Sequence, residues 1–383
     1  MITRLQSVIV TGLVAIGIGL GMVATAAPAE SVDFLYKADA KLVHVDNLFL
    51  SGTDKVGDRY LVFSPGIEMT LAEQGAVSFS LGYTHHFTAY RDHNNLNNDF
   101  PDFETKIAYD SGVLLATGLY SYEKWASNTI EANPDGQLVE WSTEKASGDV
   151  HYEMSELTAF RAGLNYQEVD YSDQVYTDYE SVSVPLTFFY SVRPTVDLTA
   201  GLRYRTVDTF SANAPTFDYE DMFYYVGAVG ELFSPKVYGD IKYGYQTRDY
   251  QNSPKKEESS SYDVSIIYAA NAKTSVSLGM ERDYRTSAIG GLAYSFTNFS
   301  LGAQYSLTKR VDFSGAIVVG DIVYEDSPRE EDITMINLGA RYHPNDYLSF
   351  SARYEYTDVD GNNKAGSSNY EKNEFSVSAS VRY

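Results

Sequence analysis

The sequence predicts an all-β fold: a closed antiparallel transmembrane β-barrel of about 18 strands, connected as an up-and-down meander. Three observations predict it, namely turn signals at nearly even intervals, strands with one apolar face, and an amphipathic last strand that ends in an aromatic residue. A closed sheet satisfies every backbone polar group within a bilayer, and barrel strands alternate between lipid-facing and lumen-facing residues.

Eight short turn signals divide the chain at intervals of 36 to 44 residues. Each interval has room for two strands and one longer polar loop, as expected of consecutive hairpins. The turns are Glu73-Gln74-Gly75, Asp110-Ser111-Gly112, Ser155-Glu156, Arg193-Pro194-Thr195, Ser234-Pro235-Lys236, Asn271-Ala272-Lys273, Thr308-Lys309-Arg310 and Pro344-Asn345-Asp346.

These turns join sixteen strands, and one strand near 32–47 and another near 372–383 bring the count to 18. An even count places both chain ends and all short turns on the periplasmic side, with nine longer loops outside. We expect no plug, because no segment remains to form one. The predicted loops are 51–58, 92–101, 126–142, 168–180, 208–219, 250–260, 286–296, 325–332 and 359–372.

Alternation is strict along 196–205 and 348–356, where one face is apolar or aromatic and the other is small, polar or charged. A soluble sandwich would bury the apolar face against a second sheet, whereas a membrane barrel turns it toward lipid. Two segments could reduce the count to 16. Within 311–324 the run 315–320 is apolar on both faces, which predicts a bulge or register shift, and 142–153 are crowded with charge.

The amino terminus has the pattern of a secretory signal peptide. Arg4 precedes an apolar run at 8–23, followed by Ala24-Thr25-Ala26 and Ala27-Pro28-Ala29. This order predicts export with cleavage after Ala26 or Ala29. A retained membrane helix is the alternative. We therefore divide the chain into a signal peptide at 1–29 and a single barrel at 30–383.

The carboxyl terminus resembles the terminal signal of Gram-negative outer-membrane proteins, an amphipathic last strand with a final aromatic residue. That resemblance implies recognition by the barrel assembly machinery and a location in the outer membrane. Most such signals end in Phe, whereas this chain ends in Tyr. The residues of the signal are Phe375, Val377, Ala379, Val381 and Tyr383.

The composition agrees with a membrane barrel and limits the classes of partner that the protein can bind. The chain has 33 Tyr, 19 Phe, two Trp and no Cys, and its net charge is −23. Tyrosine suits the aromatic girdles of such barrels. Much of the acidic excess falls in the predicted loops, where it forms a solvated rim, bridged by divalent cations to lipopolysaccharide, or an acidic mouth that disfavours anions. Nucleic acid is excluded as a partner by the charge.

At 16 to 18 strands the interior is too wide for side chains to fill, which predicts a water-filled lumen. The inward charges form either a ladder of ion pairs that stiffens the wall or a selective site, for which Arg203 and Arg205 are the first candidates. The predicted pore-lining residues are Arg161, Asp197, Arg203, Arg205, Asp240, Lys242, Glu281, Asp283, Arg341, Arg353 and Glu355.

Motifs of catalysis are absent from the sequence, so we expect neither an enzyme nor a cofactor. No Gly-x-Ser-x-Gly elbow, His-Glu-x-x-His helix or phosphate-binding glycine loop occurs. Among the six histidines only His85, His86 and His93 are close in sequence, and adjacent residues of a strand point to opposite faces. We expect no metal site.

The turns Leu307-Thr308-Lys309-Arg310-Val311-Asp312-Phe313-Ser314 and Tyr342-His343-Pro344-Asn345-Asp346-Tyr347-Leu348-Ser349 are flanked by strands with aromatic ends. This pattern resembles the porin-like outer-membrane β-barrel proteins associated with exopolysaccharide biosynthesis and export. The resemblance implies a conduit or accessory for export of secreted polysaccharide, fed by periplasmic export components. It supplies no catalytic residues.

Two other functions remain open at this point. Strand number alone favours a passive, weakly cation-preferring porin for small solutes. Alternatively, the protein is a surface adhesin or structural anchor. Its loops would then make the contacts, and its lumen would be occluded. A gene neighbourhood with glycosyltransferases would favour polysaccharide export over both, and loss of surface polysaccharide on deletion of the gene would do the same.

Overall fold

The structure is a computed structural model, which describes residues 32–71, 76–129, 132, 137–211, 218–251, 254–288, 293–325, 327–362 and 369–383. The predicted signal peptide, the turn at 73–75 and Asp326 lie outside the described residues. Within those ranges, no helix is long and apolar enough to cross a membrane.

Eighteen strands and one short 3₁₀ turn, at Asn94–Leu96, make up the fold. The strands are β1 Val32–Val45, β2 Asp58–Leu71, β3 Val77–Tyr90, β4 Asn98–Asp110, β5 Leu114–Ser127, β6 Val139–Ser155, β7 Thr158–Tyr171, β8 Asp178–Arg193, β9 Val196–Phe210, β10 Tyr219–Glu231, β11 Val237–Tyr250, β12 Lys256–Asn271, β13 Thr274–Thr286, β14 Ala293–Thr308, β15 Val311–Tyr324, β16 Glu330–Tyr342, β17 Leu348–Gly361 and β18 Asn369–Arg382.

Every strand pairs antiparallel with its neighbours in the chain, and β1 pairs with β18, so the meander closes on itself. The closing seam runs from Lys37 opposite Arg382 to Val45 opposite Glu374. Backbone hydrogen bonds of 2.7 and 2.8 Å between Tyr36 and Tyr383 extend it. The predicted fold class and the count of 18 strands are confirmed.

Short turns gather at one end of the barrel, the turn end, and longer connections at the other, the loop end. The seven predicted turns within the described ranges all lie at the turn end. Local side chains fix them. The Asp110 carboxylate accepts a 2.7 Å hydrogen bond from the backbone of Gly112, whose φ is +81°, a conformation that glycine adopts without strain.

The predicted irregularity in β15 is wrong. Its register against β14 and β16 is continuous from Asp312 to Val323. Both faces are apolar because Ile322 and Tyr324 point inward into a buried cluster at the loop end. The charged segment 142–153 belongs to β6, the longest strand, with 17 residues. Register shifts occur instead beside the turns, after Glu153 and Ser306.

The strands extend into the predicted loops, so part of the acidic rim belongs to the barrel wall. They have 13 to 17 residues, whereas about 9–11 suffice to cross a bilayer. Sequence reading assigned the outer strand ends to loops because those ends are polar. The acidic residues found on strands are Glu168, Asp170, Asp178, Glu180, Glu220, Asp221, Glu330, Glu331 and Asp332.

The outward face of the strands is apolar and exposed, as alternation predicts. Leu198, Leu338 and Val377 are 41 to 53% exposed, and no second sheet covers that face in the described part of the chain. The soluble sandwich is therefore wrong. Phe375, Val377, Ala379 and Val381 lie on this face of β18, and Tyr383 follows the strand.

Candidate functional site: the loop end of the lumen

All eleven predicted pore-lining residues lie on the inward face. The pairing register places inward residues beside one another on neighbouring strands, and the exposed apolar residues occupy the alternate positions. Most of them form an ion pair with a residue of the same strand or of a neighbouring strand. Arg161 Nε is 2.8 Å from the Asp149 carboxylate, Lys242 Nζ is 3.1 Å from Asp240, and Arg353 Nη1 is 3.5 Å from Glu355. This is the arrangement expected of a ladder of ion pairs. The inward charges of β9 and β13 are arranged differently.

The outer part of β13 leaves the barrel wall. Pairing between β12 and β13 stops at Tyr262 opposite Arg282, whereas β13 and β14 remain paired up to Thr286 opposite Ala293. We call residues 283–288 and 293–296 the inward hairpin. Its contacts show that it leans into the lumen.

Asp283 attaches the inward hairpin to the wall formed by β9 to β11. Its carboxylate accepts hydrogen bonds from Arg203 Nη2 at 2.8 Å, Arg205 Nη1 at 3.3 Å and Gln246 Nε2 at 2.8 Å. Arg205 Nη2 also donates to the carbonyl oxygen of Tyr284 at 2.8 Å. All of these hydrogen bonds have a charged donor or acceptor, and they converge on two adjacent residues of the hairpin.

Asp221 and Arg248 support this attachment from behind. Arg248 Nε and Nη2 donate to the Asp221 carboxylate at 2.7 and 3.0 Å, and Arg205 Nε donates to it at 2.8 Å. The Arg248 guanidinium lies 3.7 Å from the ring centre of Tyr219 and 4.7 Å from that of Tyr284. Arg248 and Asp221 are fully buried. The cationic group is thus held between two aromatic rings and a carboxylate.

Alternation along the sequence predicts that Arg203, Arg205 and Asp283 line the pore. The predicted pore-lining residues do not include Asp221, Gln246 or Arg248. Asp221 was assigned to a loop margin, and Arg248 is two residues before a predicted loop. The available signal was alternation along β11, where even-numbered Asp240, Lys242, Gln246 and Arg248 all face inward.

Ala288, on the first arm of the inward hairpin, contacts the β7–β8 loop and the start of β6. The backbone N–H of Thr177 donates to the carbonyl oxygen of Ala288 at 2.9 Å. Ala288 is buried together with Val139 and Tyr176, which belong to β6 and the β7–β8 loop. β13 and the β7–β8 loop belong to different sides of the ring of 18 strands, so the hairpin and that loop meet over the lumen and together cover part of its loop end.

A second segment enters the lumen from the β1–β2 connection. Leu50 packs in a buried cluster with Ile322 and Val359, and its φ of +53° is uncommon for a leucine. Asn47 is fully buried, and its side-chain amide donates to the carbonyl oxygens of Ser51 and Glu371, both at 2.8 Å. Two loop-end segments, the inward hairpin and the β1–β2 connection, therefore fold into the lumen. The water-filled lumen stays a prediction.

Two loop groups outside the strands have shifted acidities. Burial and the neighbouring Asp173 raise the pKa of the Tyr176 hydroxyl. Burial and the nearby carboxylate of Glu257 raise the pKa of Glu325. Glu325 borders a polar cleft of about 420 Å³ where β12 and β13 separate. Lys255 Nζ lies 2.6 Å from Glu257 and 3.7 Å from Glu325.

Toward the turn end, the inward face of β12 to β18 carries small side chains, most of them serine hydroxyls. We call this surface the hydroxyl wall. A Cβ at Gly302 would lie 2.6 Å from Ser277 Oγ, and one at Gly339 would lie 2.6 Å from Ser314 Oγ, so glycine is needed for this close packing. The wall consists of Ser265, Ser275, Ser277, Gly279, Ser300, Gly302, Ser314, Gly339, Ser351, Ser376, Ser378 and Ser380.

The histidines are separated as the strand period requires. His86 Nδ1 is 2.9 Å from the inward Ser64 Oγ, whereas His85 Nδ1 contacts the outward Tyr83 hydroxyl at 2.9 Å. His93 binds the buried Asp58 carboxylate at 2.8 Å. In the described part of the chain, no group of three or more metal-ligating side chains is placed to hold an ion.

Comparison with known proteins agrees with this architecture. Residues 225–383, less than half of the chain, match the model of a family described as "Putative beta-barrel porin 2". No curated protein matches the sequence. Acinetobacter baumannii OccAB2 is similar in structure, with a TM-score of 0.51 at 10% identity over 92% of this chain and 98% of that chain.

Two further solved structures are similar. The unliganded ferric citrate transporter FecA has a TM-score of 0.50 at 10% identity, over 94% of this chain and 79% of that chain. Pseudomonas aeruginosa OccK2 has a TM-score of 0.49 at 11% identity, over 92% and 97% of the two chains. At these identities the likeness is one of fold, and the fold is that of porin-like outer-membrane barrels.

Proposed function

We propose that this chain is an outer-membrane channel for polar solutes, with a lumen closed at the loop end by the inward hairpin. The contacts that hold the hairpin over the lumen, at Asp283 on one side and at Ala288 on the other, carry the proposal. The partial match to a porin family and the porin-like fold support the channel class. Residues at the turn end support a passage, since inward-facing Tyr238 and Ile267 there are 55% and 46% exposed.

The hydroxyl wall favours polar solutes rich in hydroxyl groups, saccharides foremost. Serine hydroxyls both donate and accept hydrogen bonds and replace part of the hydration of a sugar without a charge of their own. The opposite wall carries ion pairs such as Arg161 with Asp149 and Lys242 with Asp240. Arg341 and Arg353 lie on the same inward face as the hydroxyl wall, so a solute would meet hydroxyls interspersed with charges on one side and ion pairs on the other.

Export of secreted polysaccharide is the more specific form of this function. The hydroxyl wall favours it, because a surface rich in hydroxyl groups can exchange hydrogen bonds with a sliding sugar chain. The exposed turn end would receive that chain from the periplasm. Periplasmic export components would be the partners, beside outer-membrane lipid, lipopolysaccharide and the assembly machinery. A gene-deletion strain that retains normal surface polysaccharide would overturn this form and leave the small-solute channel.

Conductance in planar lipid bilayers tests the channel and its closure. Wild-type protein should conduct weakly, and Asp283→Ala should conduct more because the hairpin loses three hydrogen bonds to the wall. Asp249→Ala is the matched control, since Asp249 pairs with Lys256 on the outward face at 2.8 Å. Equal conductance of all three proteins, each with the mobility of a folded barrel on unheated gels, would contradict a hairpin-closed channel.

A further inference from the structure

We propose that Arg203, Arg205 and Gln246 form a binding site for the carboxylate of an acidic saccharide, which Asp283 occupies as an internal ligand. This inference rests on the proposed channel and names its substrate class. Three side chains of β9 and β11 converge on the single Asp283 carboxylate at 2.8 to 3.3 Å. Planar guanidinium groups match the two oxygens of a carboxylate, so the same donors would accept one from a solute.

The charge balance of the wall requires an anion there. Arg203, Arg205 and Arg248 face one wall carboxylate, Asp221, and the next inward acid, Glu257, lies 2.6 Å from Lys255. Buried guanidinium groups are costly without a counter-charge. When the hairpin leaves with Asp283, the wall retains excess positive charge. A carboxylated solute restores the balance, whereas a neutral sugar does not.

An aromatic pair positions the Arg203 guanidinium at the site. The rings of Phe223 and Tyr225 are stacked, with centroids 5.3 Å apart and planes at 27°. The Arg203 guanidinium lies 5.5 Å from the Phe223 ring centre, and its buried Nε has no hydrogen-bond partner among the described residues. Because Phe223 and Tyr225 are only 6% and 8% exposed, the rings hold the guanidinium in place and offer no face to a sugar. The saccharide part of the ligand rests on the hydroxyl wall.

Competition with Asp283 would couple binding to opening. Asp283 is tethered, so its effective concentration at the site is high, on the order of millimolar, and a free ligand must exceed it. A ligand that holds Arg203 and Arg205 prevents the hairpin from returning. The acid can be a free uronate or a uronate within a polysaccharide, which share this chemistry.

Calorimetry with D-glucuronate on the detergent-solubilised full chain tests the site directly. Asp283→Ala should bind at least about tenfold more tightly than wild type, because the internal competitor is gone. The double variant Asp283→Ala with Arg203→Gln should lose this gain in affinity for glucuronate. D-glucose should bind neither the single nor the double variant. Asp249→Ala should behave as wild type. If Asp283→Ala does not fold, Asp283→Ser provides the same vacancy with a small polar side chain.

Conductance separates failure of this inference from failure of the channel. Glucuronate should raise wild-type conductance, glucose should not, and Asp283→Ala should conduct well with or without either sugar. Opening by glucuronate identifies the free acid as the ligand, and opening only by an oligomer of glucuronate identifies the polymer. If Asp283→Ala conducts but neither acid binds or opens the wild type, the acidic-saccharide site is wrong and the channel stands. If no variant conducts, the channel itself is wrong.

Discussion

At the loop end of the lumen Val207, Ile322 and Val359 are at most 5% exposed, whereas the inward-facing Leu115, Tyr238 and Ile267 at the turn end are 41 to 55% exposed. All four buried apolar clusters of the described chain lie at the loop end. The same alternating strands therefore form a packed interior at one end and an exposed wall at the other. The difference comes from segments that fold back into the lumen, not from the strands themselves.

The largest effect is expected at the turn end, where the barrel closes on itself. Replacing Tyr383 with Asp should leave the protein unassembled in the periplasm, because the last strand must both be recognised and pair with β1 near Tyr36. Fractionation and gel mobility without heating provide the measurement. Asp346→Ala, at a neighbouring turn, is the control. A normally folded Tyr383→Asp barrel would defeat the assembly-signal hypothesis.

Removing the inward hairpin should make the loop end as open as the turn end. Replacing 284–295 with Asn-Gly gives a two-residue turn between Asp283 and its partner Phe296. Single-channel conductance should rise at least about tenfold toward that of a wide barrel, because an empty ring of 18 strands encloses an aqueous channel. An unchanged conductance from a folded variant would show that the β1–β2 segment, not the hairpin, obstructs the lumen.

Two inward leucines compare the ends energetically. Leu50→Ala should lower the free energy of unfolding by about 2–5 kcal/mol, because it leaves a cavity in a buried cluster. Leu115→Ala should cost far less, since Leu115 is 41% exposed in the lumen. Urea unfolding in lipid vesicles, followed by tryptophan fluorescence, measures both. Equal losses would mean that the two ends are packed alike.

The smallest effect concerns ion selectivity in the shortened-hairpin protein. Neutralising Arg203 and Arg205 should increase cation preference, measured as a reversal potential. Neutralising the exposed Glu330 and Asp332 should change it less, and that change should fade at 1 M salt, where the screening length is ~3 Å. Glu331 is unsuitable for this test, because it is buried and binds Arg329 at 2.8 Å. A larger effect from the outer acids would place selectivity at the mouth.

Sequence patterns predicted the wall well because the two-residue period is local. Alternation alone placed Arg203, Arg205 and Asp283 on the inward face. It could not predict that Asp283 binds arginines 78 and 80 residues earlier, since that contact depends on where β13 stops pairing with β12. Asp221 was missed because a strand that continues beyond the bilayer becomes polar and resembles a loop.

Cysteine cross-linking provides the most direct test of the hairpin as the closing element. The chain has no native Cys, so Thr177→Cys and Ala288→Cys together create a single pair across the hydrogen bond that joins the hairpin to the β7–β8 loop. In the Asp283→Ala background, the reduced protein should conduct and the oxidised protein should return to the low wild-type conductance. Identical conductance in both redox states, with the disulfide verified by mass spectrometry, would contradict closure by the hairpin.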